Sequence, residues 1–294
     1  MKRFSSWASV PDEMKTKTQL GRMGLKLAPD QQPVAVIKAG RFPAHHLYDM
    51  AQAIPKRPVS DAQRAASLVN LQKAHDATTC IDCGGYSRSL DDGRCSYCAW
   101  DYRLKQRGQR ATERLAELAA ASDWLIVDTE TTGLDGNAEI VQIGIVDAAG
   151  QVVLNQLVRP TSPISPGAAA VHGLDEAALA DAPGWMDVYP EVMRLLNGRT
   201  VLAYNAAFDE RLVAQTCQRY SQAVPEASWT CVMLLAAAHI GEWSHYHKSF
   251  RWHKLLDALD MVGVDLSGDE CRLHDAAGDA WLTWRFVNSF AKEK

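Results

Sequence analysis

The sequence lacks long apolar runs, a leader-like start and internal repeats, and these absences narrow the possible classes of protein. None of its apolar segments approaches the roughly 18 residues that a membrane-spanning helix needs. The first residues, MKRFSSWASVPDEMK, carry a basic tip but no apolar stretch followed by a cleavage-type site. We therefore expect a protein that is neither secreted nor membrane-embedded and that resides in the cytoplasm.

The cysteines number seven, and an odd count in a reducing compartment argues against structural disulfides. Four of them follow the spacing C-x2-C-x11-C-x2-C, namely Cys80, Cys83, Cys95 and Cys98. Two short Cys-x-x-Cys knuckles can bring four thiolates tetrahedrally around one ion. We predict one Zn²⁺ there, with a rubredoxin-like iron site or redox-active thiols as the alternatives.

Charge is distributed unevenly along the chain. Residues 1–120 contain 19 Lys and Arg against 12 Asp and Glu, a net of +7, whereas residues 121–294 contain 12 against 23, a net of −11. This asymmetry suggests polyanion attraction in the first part and cation binding in the second, although drift in surface charge explains it equally well. The cysteine module then either binds nucleic acid or serves only as a metal site that stabilises the fold of a small domain. The basic residues that would help in binding are Arg88, Arg94, Arg103, Lys105, Arg107 and Arg110.

Local patterns divide the chain into four segments. Residues 1–75 have no assignable fold, 76–102 form a zinc-ribbon-like module with the four spaced cysteines, 103–121 form a helical linker, and 122–294 form the main domain. A helix is predicted after Ser60, and another from Tyr102 that is interrupted or weakened at Gly108. From Trp124 onwards, three strands with a turn at 149–150 are followed mainly by helices, one of them over 175–182. This order predicts an α/β fold in which helices cover the faces of a sheet.

The stretch WLIVDTETTGLD runs from a buried strand directly into acids. Because side chains alternate along a strand, Asp128 and Glu130 point to the same face. Carboxylates held this close repel one another unless cations lie between them, and hard oxygen ligands suit Mg²⁺ or Mn²⁺. The alternative is a solvated strand end.

Two further acids strengthen the metal hypothesis. Asp209 follows the short strand TVLAYN, and Asp279 lies early in the last helix, where an acid alone would only favour the helix dipole. Asp275 is predicted to be a capping residue and no more. Taken with Asp128 and Glu130, the acids suggest a site for two ions about 4 Å apart, which can clamp an in-line phosphoryl displacement.

Three motifs, in order DTETTGLD, YNAAFD and HDAAGD, resemble the exonuclease motifs of the DEDD superfamily of 3′–5′ exonucleases. This DnaQ-like group includes the proofreading subunit of bacterial replicative DNA polymerase, RNase T and oligoribonuclease. The resemblance spans about residues 123–290 and includes the stretches EIVQIGIVD and AVHGLDEAALADAPGWMDVYPEVMRLL. It implies a ribonuclease H-like domain, with a mixed central sheet flanked by helices. The spaced cysteines, outside the resemblance, add a small N-terminal zinc-binding domain.

The resemblance also implies roles for individual residues. Two Mg²⁺ or Mn²⁺ would be held by Asp128, Glu130, Asp209 and Asp279. His274, five positions before Asp279, would be the general base that marks the DEDDh type. The implied substrate-binding positions are Thr131, Leu134, His172, Asn205 and Phe208. Two of these residues have a purely structural alternative. Leu134 either wedges against the terminal base or packs against the end of the strand. His172 either lies near nucleic acid or positions the start of a helix.

We therefore expect a metal-dependent exonuclease that acts on a single-stranded or frayed 3′ end, DNA in preference to RNA, and releases nucleoside 5′-monophosphates. The alternatives are an exoribonuclease, or a non-catalytic nucleic-acid-binding or polymerase-associated subunit whose residues 1–120 dock a partner. Tyr204 stands where the proofreading branch often has His, and the stretch WTCVMLLAAAHIGEWSHYHKSFRWHKLLDAL resembles a stand-alone bacterial branch. Both observations weaken a proofreading assignment. The stretch HYHKSFRWHK, residues 245–254, either contacts a strand by stacking and phosphate pairing or places Phe250 and Trp252 in the core.

Overall fold

The computed structural model describes residues 1–40, 43–267 and 274–291, and the chain divides into two compact units. The units comprise Met1–Gly93 and Arg94–Lys294. The four-segment division drawn from the sequence remains a prediction.

The first unit is built around a small sheet with the strand order β1-β4-β5-β2 and a separate pair, β3-β6. Its core is small and centres on Ala35, Ile37 and Leu47. Helix α2 begins after a capping box at Ser60, where the sequence places it, and none of its residues is buried. The elements are β1 (Lys2–Phe4), β2 (Met14–Lys15), α1 (Lys17–Arg22), β3 (Leu25–Lys26), β4 (Ala35–Ile37), β5 (His45–Asp49), β6 (Ile54–Pro55) and α2 (Asp61–Asp76).

The second unit is an α/β domain with a mixed five-stranded sheet, as predicted. The strand order is β11-β10-β7-β8-β9, in which β11, β10 and β7 are parallel and β8 and β9 continue as an antiparallel meander. Its strands are β7 (Trp124–Thr131), β8 (Ile140–Asp147), β9 (Val152–Leu157), β10 (Thr200–Ala203), β11 (Ser228–Cys231), β12 (Trp243–Ser244) and β13 (Ser249–Phe250). Its helices are α3 (Ser96–Ala120), α4 (Pro166–His172), α5 (Trp185–Leu196), α6 (Ala206–Arg219), α7 (Val232–Ile240), α8 (Leu255–Met261) and α9 (Ala276–Asn288).

Alternation along β7 gives the sheet two apolar faces. Leu125 and Val127 pack in a cluster with α5 and α6, whereas Trp124 and Ile126 pack in a cluster with α3, α7, α8 and α9. Asp128 and Glu130 point to the same face of the sheet as Trp124 and Ile126, which is the face that α9 covers.

Two predictions of secondary structure are wrong. Helix α3 is continuous from Ser96 to Ala120 and is not interrupted at Gly108. A β-carbon at Gly108 would lie 2.9 Å from the carbonyl oxygen of Ala238 in α7, so the glycine allows two helices to pack closely. Residues 176–181 form turns, not a helix, and the Asp175 carboxylate accepts a hydrogen bond from the Ala178 amide.

A membrane span is not found among the described residues. Within 1–40, 43–267 and 274–291, no helix has both the length and the apolar character needed to cross a bilayer.

Candidate active site

Asp128 and Glu130 lie at the carboxyl end of β7, the central strand of the sheet. They pair in register with Gly144 and Gln142 of β8, and a bulge between Glu130 and Thr131 ends the regular ladder. Both acids are only partly buried, whereas Thr129 between them is buried. The strand therefore presents both carboxylates at one open edge.

Asp209 reaches the same edge because β10 runs parallel to β7 and leads directly into α6. Its side chain is 3% exposed, and the Thr129 hydroxyl donates a hydrogen bond of 2.8 Å to its Oδ1 atom. The carboxyl ends of parallel neighbours meet at one edge of a sheet, which is where α/β proteins place their ligands. The local order of strand, turn and helix thus brings Asp209 to the acids of β7.

The first turn of α9 supplies Asp279. Asp275 caps this helix by accepting a hydrogen bond from the Gly278 amide, as predicted from the sequence. Ligand atoms of Glu130, His274 and Asp279 all lie within 4.8 Å of one another, and His274 Nδ1 is 4.0 Å from Asp279 Oδ2. The His274 side chain is 57% exposed, and its backbone adopts the left-handed conformation with φ of 60°.

The acids strongly perturb one another. Burial raises the pKa of Asp128 well above its ordinary value, and the negative charges of Asp209, Asp279 and Glu130 raise it further. Burial and the neighbouring acids raise the pKa of Glu130 to about 8. Burial also raises the pKa of Asp209 to about 7, against the lowering effect of the Thr129 hydrogen bond. For Asp279, burial raises the pKa while His274 opposes the rise.

This arrangement fits divalent cations. Burial and the negative charges of neighbouring acids raise the pKa values of Asp128 and Glu130, and hard oxygen donors are what Mg²⁺ and Mn²⁺ bind. All four acids assigned from the sequence contribute to the cluster.

Gln142 and Gly144 of β8 hold the start of α9 in place, and sequence reasoning missed both. The Gln142 amide donates to Asp275 Oδ2 at 2.7 Å, and its oxygen accepts from the Ala276 amide at 3.3 Å. A β-carbon at Gly144 would overlap the backbone of Ala276 and Ala277. The signal available in the sequence was a glycine between β-branched residues in QIGIV, which marks a close backbone approach.

Thr131 and His172 are joined by a hydrogen bond. His172 Nε2 lies 3.1 Å from the Thr131 carbonyl oxygen, and His172 Nδ1 accepts from the Leu174 amide at 3.1 Å. These partners fix the tautomer with the proton on Nε2. His172 and His274 also line a common cleft of about 660 Å³.

The other predicted substrate-binding residues lie in the loop after β7 and at the start of α6. Leu134 is 80% exposed in the loop after β7, which excludes its packing against the strand end. Arg211 and Gln215 of α6 tether this loop by donating to the Asp135 carbonyl at 3.3 and 3.2 Å. Asn205 is the exposed N-cap of α6, and Phe208 packs against the core beneath the Arg211 guanidinium.

The four spaced cysteines form two knuckles, Cys80 with Cys83 in the first unit and Cys95 with Cys98 in the second. Within the first knuckle the Gly84 amide donates to the Cys80 carbonyl, and in the second the Ala99 amide donates to that of Cys95. Two knuckles of this kind are typical of a single tetrahedrally bound ion, and the zinc site stays a prediction from their spacing.

Comparison with known proteins assigns the family. The family model for RNase T, described as exonuclease, matches residues 125–285, which is more than half of the chain. The chain belongs to this exonuclease family. It is therefore a nuclease of the hydrolase class, with the DnaQ-like fold and the divalent-metal requirement that the family implies.

Individual relatives agree with the assignment. The uncharacterized exonuclease CP81 of Escherichia phage 186 is 38% identical over 177 residues, which cover 58% of this chain and 89% of that protein. Exodeoxyribonuclease 10 of Escherichia coli strain K12 is 38% identical over 114 residues, 38% of this chain and 46% of its own length. A solved structure of exonuclease X in complex with 5′ overhanging duplex DNA aligns with 57% of this chain and 90% of that chain, at 30% identity and a TM-score of 0.44.

Proposed function

We propose that this protein is a metal-dependent 3′–5′ exonuclease that prefers DNA and releases nucleoside 5′-monophosphates. The observation that carries the proposal is the convergence of Asp128, Glu130, Asp209 and Asp279 with His274 at one edge of the sheet. Family membership supplies the nuclease activity, and the direction, substrate and residue roles are the proposed parts.

Asp128, Glu130, Asp209 and Asp279 would hold two Mg²⁺ or Mn²⁺. When bound, these ions supply the positive charge that offsets charge developing on the transferring phosphoryl group. His274 accepts the proton of the attacking water as general base, and its Nδ1 atom lies 4.0 Å from Asp279 Oδ2. Thr131, Leu134, His172, Asn205 and Phe208 hold the terminal nucleotide.

DNA is the favoured substrate because one of the relatives is named an exodeoxyribonuclease. An exoribonuclease is the alternative, since recognition of the 2′-hydroxyl depends on details of the pocket. A non-catalytic nucleic-acid-binding subunit is disfavoured because all five active-site positions keep their chemistry.

Docking to a polymerase through residues 1–120 is a further hypothesis. It is consistent with the similarity to a DNA polymerase III subunit epsilon-like protein of Rhodobacter capsulatus. The two chains are 38% identical over 119 residues, which cover 37% of this chain and 16% of that one. The cytoplasmic location stays a prediction from the sequence.

End-labelled DNA and RNA strands, incubated with Mg²⁺ or Mn²⁺, test this function. We expect a 3′ label to be released at once as a mononucleotide and a 5′ label to give a ladder, with DNA the faster substrate. Asp209→Asn should lower the rate by roughly 10²–10³-fold or more, whereas the exposed Asp123→Asn control should leave it unchanged. Full metal-dependent cleavage by the Asp209→Asn variant would contradict the proposal.

His274→Ala separates the general base from the metal ligands. Turnover should fall by roughly 10²–10⁴-fold, while the stabilisation of the fold by Mg²⁺ is retained. An unchanged turnover, or a variant that no longer responds to Mg²⁺ at all, would contradict the role assigned to His274.

A further inference from the structure

The segment 243–254 exposes two large aromatic rings next to each other. The hairpin of β12 and β13 is joined by the turn 245–248, where Tyr246 is 88% exposed, and Trp252 just beyond the hairpin is 62% exposed. Both rings line one cavity of about 580 Å³, together with His247, Phe250 and Arg251. This volume falls within the roughly 300–1,000 Å³ of typical ligand pockets.

The hairpin stands on a fixed aromatic base. Phe250 is 6% exposed, and its ring meets that of Trp243 edge-on at 5.3 Å. Arg107 of α3 places its guanidinium 5.1 Å from the Phe250 ring, and Trp100 stacks on His245 at 5.5 Å. The exposed rings are therefore carried by an anchored element, so a partner that stacks on them orders little additional chain.

The charge of the segment is positive in an otherwise acidic part of the chain. Residues 243–254 contain Lys248, Arg251 and Lys254 and no acid. Lys248 forms no ion pair with any residue that the structure describes, and its αL backbone places it in the exposed turn. Arg251 lies 3.6 Å from Glu242, yet its side chain is 71% exposed and keeps donors available to solvent. Aromatic rings interleaved with cations complement a strand of bases and phosphates.

A hydrogen bond ties this segment to the catalytic edge of the sheet. The Tyr204 hydroxyl donates to the His253 carbonyl at 2.8 Å. Tyr204 directly follows β10, whose carboxyl end lies beside that of β7. The end of the aromatic segment therefore lies at the sheet edge that carries Asp128 and Asp209.

We infer, on the basis of the proposed exonuclease function, that segment 243–254 is a second binding surface that holds the single-stranded part of the substrate. Bases stack on Tyr246 and Trp252, and phosphates pair with Lys248 and Arg251. Stacking is tolerant of sequence because every base has a π-face, so the surface supports movement along any strand. The alternative interpretation, in which Phe250 and Trp252 both pack in the core, holds for Phe250 but not for the exposed Trp252.

The surface is tested with a Tyr246→Ala/Trp252→Ala double variant of the full chain. The probe is a 5′-fluorescein DNA strand of about 20 nucleotides, longer than the roughly 4–16 nucleotides such surfaces cover, with phosphorothioate linkages that resist cleavage. We expect affinity, measured by anisotropy, to fall about tenfold or more for each ring removed. Lys248→Gln should reduce the slope of log affinity against log salt by about 0.7.

Two controls accompany the double variant. Tyr246→Phe/Trp252→Phe keeps both rings and should keep the affinity, and Trp7→Ala removes an exposed tryptophan, 46% exposed, of the first unit without effect. The second readout is hydrolysis of the p-nitrophenyl ester of thymidine 5′-monophosphate, which has one nucleotide and should be cleaved equally by the wild type and the double variant.

An unchanged affinity in the double variant would overturn the inference and leave the rings to a protein partner. An equal loss of ester hydrolysis would also overturn it, because the hairpin would then act on the catalytic site itself. If the wild type hydrolyses neither the ester nor unmodified DNA, the exonuclease proposal fails, while the anisotropy comparison still decides whether the surface binds strands.

Discussion

Two kinds of buried carboxylate occur in the second unit, and their surroundings separate structure from function. Glu139 is 1% exposed, and burial alone would raise its pKa, yet hydrogen bonds from Tyr220, Ser162 and Thr161 lower the pKa below its ordinary value. Arg219 adds an ion pair at 3.1 Å. The Glu139 carboxylate is thus fully hydrogen-bonded and links the start of β8 to the end of α6. The acids around Asp128 differ from it because their pKa values are raised.

The raised pKa values predict how stability depends on pH without divalent ions. With pKa values of about 8 for Glu130 and 7 for Asp209, the folded chain binds more protons than the unfolded chain between about pH 4 and 8. Their contribution to the free energy of unfolding is therefore greatest at low pH and is lost as pH rises through this window. Mg²⁺ needs the ionised form, so it should raise Tm more at about pH 8 than at about pH 5.5, by several degrees at 100-fold excess over Kd.

Thermal unfolding in Mg²⁺, against Na⁺ of matched ionic strength, measures this effect. The double variant Glu130→Gln/Asp209→Asn keeps the side-chain shapes and should lose both the Mg²⁺ response and most of the pH dependence. An equal Mg²⁺ effect at both pH values, or one retained in this variant, would contradict the assignment of these acids as ligands.

At the scale of elements, the contact of α9 with β8 sets the geometry of the site. Gly144 of β8 is paired with Asp128 on the neighbouring strand β7, and the first turn of α9 lies directly on Gly144. Gly144→Ala should therefore displace α9, lower the free energy of unfolding by about 1–3 kcal/mol and reduce nuclease activity, because His274 and Asp279 move away from Glu130.

Urea unfolding and the strand assay are the measurements for this change. Gly167→Ala is the matched control, since a β-carbon there meets nothing within 4 Å, and it should preserve activity without lowering stability. Wild-type stability and activity in Gly144→Ala would show that α9 is not positioned by this contact.

The sequence predicts what depends on local pattern and misses what depends on packing between elements. Alternation along β7 was enough to put Asp128 and Glu130 on one face, and Asp275 could be recognised as a cap. A glycine inside a helical pattern predicts a break in the helix. Gly108 instead allows close approach to α7, and the residue that it meets there, Ala238, lies 130 positions away. Gln142 acts across 133 positions on Asp275, a distance that no local pattern reports.

At the scale of the molecule, the family match and the charge asymmetry point to separate tasks along the chain. The family model covers 125–285, within the acidic part, and leaves the basic residues 1–120 outside it. The cluster of four cysteines lies in this basic part, so its metal is expected to support residues 1–120 and not the hydrolytic chemistry.

The Cys83→Ser/Cys98→Ser double variant tests the metal and its role together. Purified wild-type chain should contain one zinc ion, released on thiol modification, whereas the variant should contain none and should be more susceptible to proteolysis around the knuckles. Hydrolysis of a single-nucleotide ester should persist, because the carboxylate cluster is untouched. Cys231→Ser, a thiol outside the cluster that contacts the Tyr204 carbonyl, is the matched control and should keep the zinc. Visible absorption from iron in the wild type, or full zinc content in the double variant, would contradict a zinc-thiolate site. Loss of ester hydrolysis in the double variant would show that the cysteine module also supports catalysis.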